Sequence, residues 1–455
     1  MFDSRFHRRE VLRAGALSLF GLSLPQLLAV EKPAKTPKSC IVLFMWGGPA
    51  QQDTWDMKPE APDIYRGEFK PISTSVPGVQ ICEHLPELAK RMDDLCLIRS
   101  MTHNDVNHLT ATHHLLTGKP APTGGLADDW PNYGAMLAKL GRGKSPLPPY
   151  VSMMPEVKEN GAPRFVEESH GQGAGLLGPL YNPMRIDSDA SQPDYSVADF
   201  VLRSDTPMSR LDDRTLLHRR LDTQVKQMES QLALGAMASQ YSRAFELLAK
   251  PEVTKAFDLS QEPIKLRERY GMNRHGQSVL QARRLVEAGV PVVTVFWPNE
   301  GITNSSVYWD THNRNFIDLK SRLCPTTDRA TSALIDDLKD RGLFDDTLIV
   351  WTGEMGRTPK VGQSVVGGAG AGRDGRDHWA KLFTTVLAGG GVKGGLVYGS
   401  SDKYAAEPSS NPTSPADLAA TIYHLLGVDP KMEFLDRFKR PLTLCDGRVI
   451  DGILA

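Results

Sequence analysis

Apolar residues along the chain fall into two alternating kinds of segment. Continuous apolar runs recur at Ile41-Val-Leu-Phe-Met-Trp46, Leu95-Cys-Leu-Ile98, Val290-Pro-Val-Val-Thr-Val-Phe-Trp297, residues 347–351 and residues 382–387, with a shorter run near Tyr150-Val151. Runs of this length without polar alternation predict strands buried on both faces. Amphipathic stretches stand between them. Leu217, Leu221, Val225, Met228 and Leu232 recur at helical spacing and form one apolar stripe between charged faces. A second helix is predicted over 263–288, ending at Gly289. A third runs over 316–341 and stops at Gly342, and a fourth covers 416–426. Strands alternating with helices predict an α/β fold with a largely parallel central sheet and helices on both faces. Residues 155–195 are rich in Gly and Pro without a clear period and read as a long, ordered surface excursion. With the helical insertion near 209–290, they would elaborate a single domain over 40–455.

Net charge changes this picture little. A balance of −1 over 455 residues gives no support to a nucleic-acid or membrane-surface partner. The amino terminus adds more. His7-Arg-Arg-Glu-Val-Leu12 precedes a modestly apolar stretch over 14–28, interrupted by Gly15, Ser18, Gly21, Ser23 and Pro25. A membrane-spanning helix needs about 20 apolar residues, so residues 1–29 read as a twin-arginine export signal. Cleavage near Ala29 would leave no stable membrane span and place the protein in the periplasm or cell envelope. The imperfect small-residue pattern leaves an uncleaved anchor open. Residues 30–39, rich in Lys and Pro, read as a linker. The five cysteines are scattered without a C-x-x-C pair. They predict buried small hydrophobes and leave room for one bridge.

The chemically versatile residues stand just after predicted strands, the edge where open α/β sheets bind ligands. The run 347–351 ends abruptly in Thr352-Gly353-Glu354, and a Gly-rich loop then delivers Asp377 and His378. Asp53 and Asp56 follow the first strand. His103, His108 and His113-His114 follow the second, and Asp310 and His312 follow the strand that ends at Trp297. Carboxylates and imidazoles converging from separate segments suit one or two divalent metal ions, which could activate water or clamp a displacement at phosphorus or sulfur. Each residue also has a plainer reading. Asp53, Asp56 and Asp310 could cap short helices, and His113-His114 lie inside a predicted helix where at least one should pack. The loop 367–373 could nest an anion or act as a flexible lid, and it lacks a nucleotide-binding G-x-x-x-x-G-K-[ST] pattern.

Several motifs resemble one family. The segments Leu43-Phe-Met-Trp-Gly-Gly-Pro49, Asp53-Thr-Trp-Asp-Met-Lys-Pro59, Arg66-Gly-Glu-Phe-Lys-Pro-Ile72, Trp351-Thr-Gly-Glu-Met-Gly-Arg-Thr-Pro359 and Gly375-Arg-Asp-His-Trp379 are similar to the exported family called domain of unknown function 1501. That family is grouped with the alkaline phosphatase and sulfatase superfamily, so the resemblance implies an alkaline-phosphatase-like sheet. It also implies roles. Asp53, Asp310, His312, Glu354 and His378 would be metal ligands, with Met355 where the superfamily has a further ligand His. The sequence His108-Leu-Thr-Ala-Thr-His-His-Leu-Leu-Thr-Gly118 ends like the sulfatase nucleophile region, but puts His108 at the nucleophile position and Thr112 at the arginine position. Formylglycine is therefore not expected, and Thr110, Thr112 or a metal-activated water would attack. His103 or His108 would be general base or further ligand. Arg357 and Arg376 would hold anionic oxygens.

The resulting expectation is an exported metal-dependent hydrolase of phosphate or sulfate esters, using one or two ions, zinc or manganese before calcium. Its partner would be a small anionic ester or a sulfated or phosphorylated glycan. A catalytically altered member that binds an anionic glycan or envelope partner without turnover is the alternative. A structural envelope component is a third reading.

Overall fold

Eight strands form the central sheet: β1 (Ser39–Phe44), β2 (Leu95–Met101), β3 (Tyr150–Met153), β4 (Met184–Ile186), β5 (Val292–Phe296), β6 (Thr347–Thr352), β7 (Phe383–Ala388) and β8 (Leu396–Tyr398), in the order β8-β2-β7-β6-β1-β5-β3-β4. The computed structural model describes residues 38–143, 147–154, 169–193, 195, 251–300, 302, 306–365 and 370–455. The twin-arginine segment, nearly all of the linker and the predicted helix around 217–232 lie outside the described residues. Residues Thr36–Ala455 form one compact unit.

The largely parallel sheet expected from the sequence is present, with one strand reversed. β7 pairs antiparallel with both β2 and β6, while the other pairings are parallel. The cause is local. A parallel successor to β6 would need a crossover to the opposite edge. Instead the chain leaves β6 and folds into a short hairpin, Gly356–Arg357 against His378–Trp379. It then enters β7 from the edge it had just left. β1 is buried throughout, as its unbroken apolar sequence requires. Phe44 pairs with Thr352 on one side and Phe296 on the other, so three central strands end level and release their loops at one edge. Two edge strands escape sequence reading. β4 lies inside the expected surface excursion, and both β4 and β8 are only three residues long, too short for a resolvable period.

Four helices matter for the site: α1 (His108–Thr117), α2 (Arg274–Glu287), α3 (Cys324–Asp340) and α4 (Pro415–Leu425). The predicted helix over 263–288 is two helices, Ile264–Tyr270 and then α2. Gly271 has φ +98° between them, and the Asn273 side chain caps α2 by accepting from Gly276 N. The helix predicted over 316–341 begins as Asn315–Asp318, widens into a π-turn over Leu319–Leu323 and continues as α3. Pro325 lacks the N–H an α-turn needs, which accounts for the adjustment just before it. α4 starts with a reciprocal capping box between Ser414 and Asp417. No described helix is long and apolar enough to cross a membrane. All five cysteines are buried and free, matching the small-hydrophobe reading.

Candidate metal centre

The level ends of β1, β5 and β6 bring three loops together, and α1 supplies a fourth wall. His108 opens α1 behind its Asn107 cap. Asp310 and His312 come from the connection after β5, and His378 from the hairpin after β6. Their donor atoms all lie within 4.8 Å of one another.

The geometry is organised around Asp310 Oδ1. His312 Nε2 lies 2.9 Å from it, His108 Nε2 3.4 Å and His378 Nε2 3.5 Å. The Nε2 atoms of His312 and His378 are 2.9 Å apart. A tetrahedron with arms of about 2.1 Å, as in zinc sites, has edges of about 3.4 Å. The other ring nitrogens define the tautomers. His378 Nδ1 donates to Val106 O at 2.8 Å, His312 Nδ1 donates to Gly370 O, and His108 Nδ1 is held by Glu354 Oε1. Each imidazole thereby turns its Nε2 atom inward, anchored by an oxygen behind it, the arrangement that orients metal-ligating histidines. Two facing lone pairs repel unless a cation lies between them, so the donor set fits a divalent ion.

Charge follows from burial and neighbours. Burial opposes ionisation of Asp310, but the Arg357 guanidinium and His108 outweigh it and hold the carboxyl well below the usual range. Burial likewise opposes a charge on His108, yet Asp310 and Glu354 push its pKa up to about 9. Burial first, and then the charges of Arg357 and His108, lower the pKa of His378 and keep it neutral.

Several expected site residues take other roles. Glu354 stands behind His108 and also accepts from Gly47 N at 2.8 Å, so it orients a donor; its Oε2 is buried with no hydrogen-bond partner among the described residues. Asp53 lies outside the cluster and caps nothing. It receives Arg376 Nε at 2.7 Å, Arg376 Nη2 at 3.0 Å and Asn315 Nδ2 at 2.7 Å. The remaining Arg376 donors go to Thr358 O, Pro359 O and Tyr65 O. Arg376 therefore has no donor left for an ester anion. Arg357 is equally committed, to Gly47 O, Gly48 O, Arg376 O, His312 and Asp310. It braces Asp310 from behind instead of clamping a ligand.

The threonines and His103 also turn away. Thr112 is fully buried and donates to His108 O within its own helix at 2.7 Å, and Thr110 Oγ1 lies 3.5 Å from Asn107 O. His103 Nε2 donates to Glu354 O at 2.7 Å, and its Nδ1 accepts from Asp105 N at 3.1 Å. Both nitrogens are in use, and burial lowers its pKa. His113 is structural, accepting from Trp130 N and donating to Lys119 O. Met355 packs with Ala111 and Ala380. Asp310 caps no helix, since Arg314 precedes Asn315–Asp318.

Residues that sequence reading passed over complete the centre. Trp46 lays its indole against His108, with ring centroids 4.7 Å apart. Gly47 has φ +108°, and a Cβ there would stand 2.4 Å from Asp310 N. A Gly-Gly pair directly after a buried strand was the available signal of such a close approach. Asp377, which the sequence had delivered beside His378, is not among the four donors; it pins the returning loop, accepting from Val365 N, Gly370 N and His378 N. Beside the cluster, a cavity of about 230 Å³ is lined by Asp310, His312, Trp46, Tyr308 and Arg314 among others. Among the described residues Arg314 makes a single ion pair, 3.7 Å from Asp318, and its Nε has no hydrogen-bond partner.

Comparison with solved structures aligns this chain with a sulfatase from Pseudoalteromonas sp. (16% identity, 93% of this chain and 72% of that one, TM-score 0.38). It also aligns with a phosphonate monoester hydrolase from Silicibacter pomeroyi (13%, 92% and 76%, 0.37) and an alkaline phosphatase from the Antarctic bacterium TAB5 (9%, 86% and 99%, 0.36). Among curated proteins, no sequence matches. The family model described as protein of unknown function (DUF1501) matches residues 37–454, and the chain belongs to that family.

Proposed function

We propose that the protein is an exported, metal-dependent hydrolase of phosphate or sulfate esters. The observation that carries this reading is the set of three imidazole Nε2 atoms converging on Asp310, each fixed from behind by an oxygen acceptor. Three nitrogens and one carboxylate favour zinc or manganese over calcium. A divalent ion held there would supply Lewis acidity and lower the pKa of water. The chain's own residues do the rest. Glu354 and Arg357 hold His108 and Asp310 in register. Trp46 closes one side of the cavity. Arg314 meets the anionic oxygens of the ester, the role once expected of Arg357 and Arg376. With His108 at the nucleophile position and Thr110 and Thr112 turned away, no side-chain nucleophile is invoked. The twin-arginine sequence supports delivery to the periplasm or envelope.

The test is elemental analysis of protein purified without chelators, followed by aryl phosphate and aryl sulfate assays. About one equivalent of metal in the wild type, lost in His378→Ala together with turnover, is the expected result. Metal-free wild-type protein after reconstitution with zinc and with manganese would sink the proposal. The missing side-chain nucleophile, with Met355 packed against Ala111 and Ala380 where a further ligand was expected, favours a second reading, binding of an anionic glycan without turnover. Stoichiometric metal with no hydrolysis across the ester panel would select it.

A further inference from the structure

A second, larger cavity opens over β3 and β4 and shares no residue with the four-donor cluster. It encloses about 430 Å³, within the range of pockets that take a small organic ligand. The charged side chains that line it are Asp129, Arg185 and Arg437, and each is answered by a neighbour. Asp129 accepts from His170 Nδ1 at 2.5 Å and from Gly171 N at 2.7 Å. Arg185 pairs with Asp187 at 2.6 Å, and Arg437 with Asp128 at 3.2 Å. With these charges balanced, the cleft offers no complementary field to an ion of either sign.

The uncharged lining is different. Ser152 is 1% exposed, and among the described residues its hydroxyl has no hydrogen-bond partner. A buried hydroxyl left so costs stability unless something else satisfies it. The parallel register pairs Ser152 with Arg185, so both side chains leave the same face of the sheet, and both line the cavity. Asn182 adds a carboxamide, fixed by its Oδ1, which accepts from Ala174 N at 2.9 Å. Leu126, Met154, Pro179 and Pro183 supply apolar surface beside these groups.

Hydroxyl and carboxamide groups both donate and accept, as the hydroxyls of a sugar do, and apolar side chains suit the C–H faces of its ring. We propose that the cleft binds an uncharged sugar, a pyranose without carboxylate, sulfate or amine, anchored by the Ser152 hydroxyl. One indole links the cleft to the four-donor cluster: Trp46 Nε1 donates to Ser169 Oγ at 3.2 Å, and the same ring packs on His108. A role for the sugar as the non-reacting part of an ester rests on the hydrolase reading, whereas the binding itself does not.

The experiment titrates the full chain with glucose, galactose and mannose, each beside its uronate and its 2-amino derivative as ionic controls of opposite sign, by saturation-transfer NMR and calorimetry. At least one uncharged sugar should bind, and its two ionic forms about fivefold more weakly or not at all. Ser152→Ala should weaken that sugar by about fivefold, the loss expected for one neutral hydrogen bond. The same variant should keep or raise thermal stability, because the hydroxyl it removes has no partner within the described fold. Asn182→Ala, at an exposed position, should also weaken the sugar. His378→Ala should abolish metal binding and leave sugar affinity unchanged, so failure of the hydrolase reading and failure of this one are separable. No binding of any uncharged sugar, an ionic form bound as tightly, or affinity indifferent to Ser152→Ala would overturn the proposal. So would a loss of stability in Ser152→Ala, which would give the hydroxyl a role in the fold alone.

Discussion

Arg376 closes two hydrogen bonds on Asp53, at 2.7 and 3.0 Å, with neither side chain exposed to solvent. This pair joins the loop after β1 to the loop that carries His378, so it fixes the spacing of the four-donor cluster without entering it. Removing one partner of a buried ion pair strands the other charge and costs about 3–5 kcal/mol. Asp53→Ala and Arg376→Ala should each lower unfolding stability by about that amount in chemical denaturation. At temperatures where the variants stay folded, anion affinity should change little. A variant of unchanged stability that lost affinity for anions would restore Arg376 to the ligand-binding role.

Glu354 offers a different kind of test, because it acts through His108. Outer-shell partners of metal-binding histidines typically contribute about 10–100-fold in affinity. Glu354→Gln keeps the shape of the side chain and weakens its grip on His108 Nδ1. Metal affinity, read by competition with a chelator, should fall by about that factor, while His312→Ala should remove binding altogether.

Arg314 lines the cavity beside Asp310 and His312, and among the described residues a single weak ion pair restrains it. Arg314→Gln should weaken inhibition by inorganic phosphate or sulfate by about tenfold, the loss expected for one charge-assisted contact, and raise KM more than it lowers kcat. Metal content should stay at the wild-type level. Inhibition indifferent to the substitution would assign anion recognition elsewhere.

His275 is fully buried against Trp297, ring centroids 4.3 Å apart, with no partner for either ring nitrogen among the described residues. Burial pushes its pKa down to about 3, so the native state keeps it neutral. An unfolded chain protonates it near pH 6.5. Its contribution is therefore complete above pH 6.5 and is lost as pH falls from there towards 3, by about 2 kcal/mol at pH 5. His114, pushed down by burial to about 4, adds to the same slope. His275→Leu should flatten the fall in stability between pH 7 and pH 5, measured by urea denaturation at each pH. An unchanged slope would refute the assignment.

The sequence alone determined the sheet's core strands, because fully buried strands need unbroken apolar runs and each of those runs is local. It determined the edge where chemistry gathers, because polar residues had nowhere else to follow such strands. It also marked His312, His378 and Asp310 as candidate donors. Tertiary structure decided what spacing does not encode. Arg376 and Asp53 are 323 residues apart in sequence, and only their burial together reveals an internal pair. Glu354 and Asp310 carry the same functional group, yet one faces the other donors and the other stands behind His108. The reversal of β7 depended on a hairpin two residues wide on each side. The short edge strands β4 and β8 depended on neighbours for all their hydrogen bonds. Apolar burial is written into consecutive residues, whereas the role of a charged side chain is set by which charge from elsewhere in the chain folds against it.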